Sequence, residues 1–290
     1  MPHRPRRSVL YMPASNARAI EKARGLSCDA IILDLEDAVA PDAKPGARDQ
    51  AVAAIAAGGF GDRELIIRCN GLDTPWGADD LAAAALAGPD AILVPKVNGP
   101  DDIATYAAAI AAAPARTRLW AMIETPAAIM ALDAIGRATR SSRLTCFAIG
   151  LNDLAKAMGG RQTPDRAPHM PFLSLAVAAA RANGLIALDS VTNAIDDTAL
   201  LERHCRQAAD IGFDGKTLIH PSQIEIANRL FSPDPAEVAW ARAVIAAYAM
   251  PQNARKGALQ VEGRLAERLH LDQAMRLVEI DAAIRAQVAA

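Results

Sequence analysis

Eight short apolar runs alternate with Ala-rich amphipathic stretches, and this alternation leaves the chain very few architectures. The runs are Ser8–Met12, Ala30–Leu35, Leu65–Cys69, Ala91–Val94, Leu119–Ile123, Cys146–Ile149, Leu185–Leu188 and Gly215–Ile219. Most are apolar at every position rather than every second one, the pattern of parallel strands covered on both faces. Helix candidates such as Asn16–Arg24, Lys44–Ala57 and Asp101–Ala112 lie between them, set off by turn signals at Gly58-Gly59, Asn70-Gly71, Gly88-Pro89 and Asn183-Gly184. Eight such units predict an α/β fold, a TIM-like (β/α)8 barrel. A doubly wound sheet is the alternative, but no GxGxxG follows the first strand.

Past Ile219 the pattern changes. Pro221, Pro233, Pro235 and Pro251 punctuate the chain, and a polar stretch, Gln252–Arg268, leads into a final helix with Leu277, Ile280, Ile284 and Val288 on one face. The expected division is a catalytic barrel over residues 1–232 and a C-terminal helical lid or arm over 233–290. The arm is short enough that no independent core is expected in it.

Composition narrows the function. Of 290 residues, 52% are hydrophobic and 22% charged, which excludes a disordered or fibrous chain. The net charge of −2 offers no basic excess for nucleic acid or an anionic membrane. No apolar run is long enough to span a bilayer, and the N-terminal apolar segment is too short for a signal peptide, so a cytoplasmic location is expected. Cys28, Cys69, Cys146 and Cys205 are widely spaced and the five histidines are scattered, so any metal should be a hard, oxygen-ligated one.

In a parallel barrel the active site lies at the C-terminal ends of the strands. The second run ends in Asp34-Leu-Glu-Asp37, the third in Arg68-Cys-Asn70, the fourth in Pro95-Lys96, the fifth in Glu124 and the sixth in Gly150-Leu-Asn-Asp153. Glu124 and Asp153 follow adjacent strands, so they could converge on Mg2+, or form loop salt bridges or helix caps. Arg68 must face an anion, either a neighbouring carboxylate or a substrate oxygen. Glu36 and Asp37 could meet the metal's waters or pair with Arg68. Arg18, Lys22, Lys44 and Arg48 read as a basic cluster at the starts of helices after the first two strands. Cations placed against the helix dipole hint at an external phosphate, although a charge run is more often a solvated face.

Taken in order, several segments resemble the citrate lyase beta-subunit and malyl-CoA lyase family. They are Arg7-Ser-Val-Leu-Tyr-Met-Pro13, Ile32-Leu-Asp-Leu-Glu-Asp-Ala-Val39, Arg68-Cys-Asn-Gly71, Val94-Pro-Lys96, Ile123-Glu-Thr125, Gly150-Leu-Asn-Asp-Leu154, Gly212-Phe-Asp-Gly-Lys216 and Ile219-His-Pro-Ser-Gln-Ile224. The resemblance runs from about Arg7 to Leu277. It implies a TIM-like barrel that holds Mg2+ on Glu124 and Asp153 and cleaves a 3-hydroxyacyl-CoA thioester into a 2-keto acid and an acyl-CoA. Arg68 would stabilise the enolate oxygen. Tyr11, Arg18, Lys22, Lys44, Arg48, Ile219 and His220 would line the coenzyme A site. The resemblance also implies a homo-oligomer, commonly a trimer, whose lid reaches a neighbour's site. In that lid Gly263-Arg-Leu-Ala-Glu267 stands where the resembled lyases carry an acid–base Asp, which gives Glu267 that role. The Pro in Thr125-Pro126 is expected to stiffen the loop beside the metal. A metal-dependent aldolase acting on free hydroxy-keto acids, and a citrate lyase beta subunit that needs an acylated carrier protein, are the alternatives.

Overall fold

The computed structural model describes residues 4–253 and 255–289. Val288 of the expected apolar face therefore has a side chain outside the described set, and the two ends of the expected domain ranges fall outside the described residues. Eight parallel strands close on themselves in sequence order, which is the TIM-like barrel. They are β1 (Ser8–Pro13), β2 (Ala30–Asp34), β3 (Glu64–Arg68), β4 (Ala91–Val94), β5 (Arg118–Ile123), β6 (Leu144–Ile149), β7 (Ile186–Asp189) and β8 (Gly215–Leu218). Closure is made by β8 beside β1, with Ser8 opposite Lys216 and Leu10 opposite Leu218.

The period of two along each strand explains both the core and the site. Val9, Ala30 with Ile32, Ile66, Ala91 with Leu93, Trp120 with Met122, Cys146 with Ala148, and Leu188 form one buried cluster inside the barrel. Stepping two residues further along five of these strands reaches Tyr11, Asp34, Arg68, Glu124 and Gly150. The polar layer at the barrel mouth thus continues the inward-facing set just where the apolar filling ends. At the opposite end Arg6 closes the barrel on Glu64, with its Nε 2.5 Å from the carboxylate.

Residues 6–229 form one compact unit; the chain from Leu230 onward, with Arg4 and Pro5, forms another. The second unit corrects two expectations. Its polar stretch contains an antiparallel hairpin, β9 (Ala258–Val261) against β10 (Arg264–Glu267), with Gly263 at φ 79° in the turn. It also has a core of its own, in which Ala241, Val244 and Tyr248 of the helix Pro235–Ala249 meet Val261, Ala266 and Ala274. Tyr248 fixes the hairpin by donating its hydroxyl to the Ala266 carbonyl at 2.9 Å. Among the described residues no helix is long and apolar enough to cross a membrane.

Candidate active site

Asp34 and Arg68 are register partners on β2 and β3, so their side chains emerge side by side. The guanidinium clasps Asp34 with both Nε and Nη2, at 2.6 and 2.7 Å. Its third nitrogen, Nη1, lies 2.8 Å from Glu36 and 3.3 Å from Asp37. Burial is the largest single influence and would weaken this cation, but Asp34, Tyr11 and Glu36 together outweigh it and keep Arg68 firmly charged. The guanidinium also lies 4.7 Å from the centre of the Tyr11 ring, which fixes its second face. Of the two readings open for Glu36 and Asp37, the structure shows the pairing with Arg68.

Glu124 follows β5 and is 1% exposed as a side chain; Asp153 lies in the first turn of the helix Leu151–Ala157 after β6. Gly150, at the start of that helix, leaves room for Glu124, since a Cβ there would overlap its carboxylate. Lys96, just past β4, ties the pair together. Its ammonium is 2.6 Å from Asp153 Oδ1 and 3.5 Å from Glu124 Oε1, and its backbone N–H donates to Glu124 at 2.8 Å. Burial pushes the Glu124 carboxyl above its ordinary range, with Lys96 pulling the other way.

These groups face a cavity of about 260 Å³ whose lining includes Tyr11, Arg68, Glu124, Asp153, Asn193 and Ile219. Among the described residues, Glu124 and Asp153 share a single ion-pair partner, Lys96. That imbalance suits a divalent cation. Among the described residues no three His, Cys, Asp or Glu side chains converge as a complete metal cage. Two carboxylates with the remaining positions open to water and substrate are what Mg2+ accepts, so the residues fit it.

The family described as HpcH/HpaI aldolase/citrate lyase matches residues 7–221, nearly the whole barrel unit. The chain belongs to the HpcH/HpaI aldolase/citrate lyase family. It is 46% identical over 285 residues to a (3S)-malyl-CoA thioesterase of Cereibacter sphaeroides, covering 97% of this chain and 98% of that one. An L-malyl-CoA/beta-methylmalyl-CoA lyase of the same species is 32% identical over 303 residues, covering 96% and 95%. Among solved structures, the CitE protein of Mycobacterium tuberculosis in complex with magnesium, acetoacetate and coenzyme A is 28% identical. It has a TM-score of 0.75, covering 96% of this chain and 98% of that one.

Within this HpcH/HpaI barrel the expected basic cluster is not one cluster. Arg18 and Lys22 are exposed, but Lys22 stands in the last turn of the helix Ala17–Ala23, where a cation agrees with the dipole. Lys44 is turned inward: its ammonium donates to the carbonyls of Leu35 and Glu36 at 2.9 and 2.8 Å and to Asn70 at 2.7 Å. Arg48 donates to the buried Asp80 at 2.7 Å. Acceptors from the chain itself thus satisfy both of these cations, in place of an external phosphate. Ile219 lines the cavity, and His220 accepts from the Ser222 N–H at 3.2 Å, capping the turn that follows β8. Pro126 begins a short helix, Pro126–Met130, which Thr125 caps by accepting from the Ala128 N–H. Its role is therefore a helix start rather than a stiffened loop. Glu267 is exposed at the end of β10, and its N–H donates to His270 Nδ1 at 2.9 Å. Two residues stood at strand ends in the sequence without an assigned role. Asp34 is the main partner of Arg68, and Lys96 is the cation between the two metal candidates.

Proposed function

We propose that this chain is a Mg2+-dependent carbon–carbon lyase acting on a 3-hydroxyacyl-CoA thioester of the citryl, malyl or citramalyl type. Its products are a 2-keto acid and an acyl-CoA. The observation that carries the reading is the Glu124–Asp153 pair gathered around a cation beside the Arg68-lined cavity. Support comes from relatives named for malyl-CoA and from a CitE structure that contains magnesium and coenzyme A.

When bound, Mg2+ would draw charge from the substrate's hydroxyl and adjacent carboxylate oxygens. Glu124, held by the Lys96 N–H and by the close approach of Gly150, supplies a rigid ligand; Asp153, half-exposed, supplies an adjustable one. Arg68, locked on Asp34, presents a fixed positive charge where the thioester oxygen gains charge as the bond breaks. Arg18, Lys22, Ile219 and His220 serve the coenzyme A moiety in this proposal. Glu267 returns the proton to the enolate carbon, and the active form is a cytoplasmic homo-oligomer of trimer type.

A second reading, thioester hydrolysis, is favoured by the 46% identity to proteins named malyl-CoA thioesterase. One assay separates them. Incubated with malyl-CoA and Mg2+, a lyase yields glyoxylate and acetyl-CoA in equal amounts, whereas a thioesterase yields malate and free thiol. Glyoxylate release that EDTA stops is the expected result; free thiol without glyoxylate overturns the lyase reading in favour of hydrolysis.

A further inference from the structure

Lys96 has φ 52°, in the left-handed region that side chains other than glycine rarely adopt. The side chain is therefore present at a conformational cost, in the layer of residues that forms the candidate site. This turn brings two donors of one residue onto the same carboxylate. The Lys96 N–H reaches Glu124 Oε1 at 2.8 Å, and the ammonium lies 3.5 Å from that oxygen while touching Asp153 at 2.6 Å. Among the described residues neither Glu124 nor Asp153 has another ion-pair partner.

The three side chains differ in freedom. Glu124 is 1% exposed and clamped on both sides, so it cannot turn away. The Lys96 side chain is 40% exposed and flexible, so its ammonium can leave for solvent without disturbing the backbone N–H bond. A divalent cation and an ammonium cannot share the space between two carboxylates, because their repulsion at such separations exceeds thermal energy. Metal entry therefore requires the ammonium to go.

We propose that Lys96 is a resident counter-cation of the Glu124–Asp153 pair, which a divalent cation must displace in order to bind. The inference rests on the metal reading given above. Lys96 holds the two carboxylates together in the metal-free protein, and it lowers their affinity for metal by the cost of its own release. It is thus a positioning residue that sets how readily the site loads.

The test is Mn2+ binding to the metal-free protein, followed by the loss of the free-ion electron paramagnetic resonance signal. Lys96→Gly removes the ammonium at a backbone position glycine favours, and it keeps the N–H bond to Glu124. Lys96→Met removes the charge while keeping bulk, and Lys96→Arg keeps the charge. Lys96→Gly and Lys96→Met should bind Mn2+ about tenfold more tightly than the wild type or more, as expected from losing a competing charge at contact distance. Lys96→Arg should stay near the wild type. If the wild type binds Mn2+ and the two uncharged variants bind it equally or more weakly, the counter-cation role is wrong while the metal site stands. If none of the four proteins binds Mn2+, both readings fall.

Discussion

Glu36 has a carboxylate oxygen 2.8 Å from the Arg68 guanidinium, and yet its pKa is pushed up to about 8. Burial is the larger cause, and Arg68 opposes it only in part, because Asp34 already engages two of that cation's nitrogens. The sign of the consequence follows from proton counting. Between about 4.5 and about 8 the folded protein holds a proton on Glu36 that the unfolded chain has lost, so stability falls as pH rises through that window. Glu36→Gln mimics the protonated form. Its melting temperature should decline less than that of the wild type between pH 6 and pH 8.5. Parallel declines in the two proteins would mean that Glu36 is already ionised at neutral pH.

At the scale of single elements, β7 and β8 carry the most demanding electrostatics. Lys216 and Asp189 are fully buried, and Arg166 joins Asp189 through Nη1 at 2.8 Å to both carboxylate oxygens. Lys216 donates to Asp189 at 2.8 Å and to the Ser190 carbonyl. Asp189→Asn would leave two buried cations without their anion, a loss of about 3–5 kcal/mol that urea unfolding can measure. A change under about 1 kcal/mol would show that water reaches these groups readily. Gly215, which opens β8, has no room for a Cβ because one would overlap the Arg6 carbonyl. Gly215→Ala should therefore strain the β8–β1 closure by about 2 kcal/mol or more, seen as a lower urea midpoint with little soluble protein.

The same elements show what could be read in advance. All eight strands were legible because two-sided burial writes them as continuous apolar runs, and the observed bounds differ by two residues at most. Glu124, Asp153 and Arg68 were legible as charges at strand ends. Lys96 was legible there too, but its role was not, since a lysine after a strand looks like any solvated loop cation until its left-handed turn is seen. Lys44 and Arg48 misled for the opposite reason: their side-chain acceptors Asn70 and Asp80 come from a different βα unit, and the other acceptors of Lys44 are backbone carbonyls. The hairpin of β9 and β10 was missed because four-residue strands of mixed polarity carry little periodic signal.

For the whole molecule, the proposal that Glu267 supplies a proton to the barrel of another copy makes a prediction about mixtures. Glu267→Gln alone should lower kcat about 10²-fold or more with little change in KM, as expected for a lost general acid. Glu124→Gln should be inactive through its lost metal ligand. Co-refolded together, the two should recover about a quarter of wild-type activity, the share of sites that draw each half from an intact parent. Verified mixed oligomers with no recovery would confine Glu267 to its own chain or to the surface.

The described residues after Leu230 have a core of their own around Val244, Tyr248, Val261 and Ala266. Substitutions inside one such unit are compensated inside that unit, so the two can diverge at separate rates. A terminal segment with a core of its own can be exchanged as a cassette. Chimaeras that join residues 6–229 of this chain to the corresponding tail of a relative would show whether the outcome of the reaction travels with the cassette.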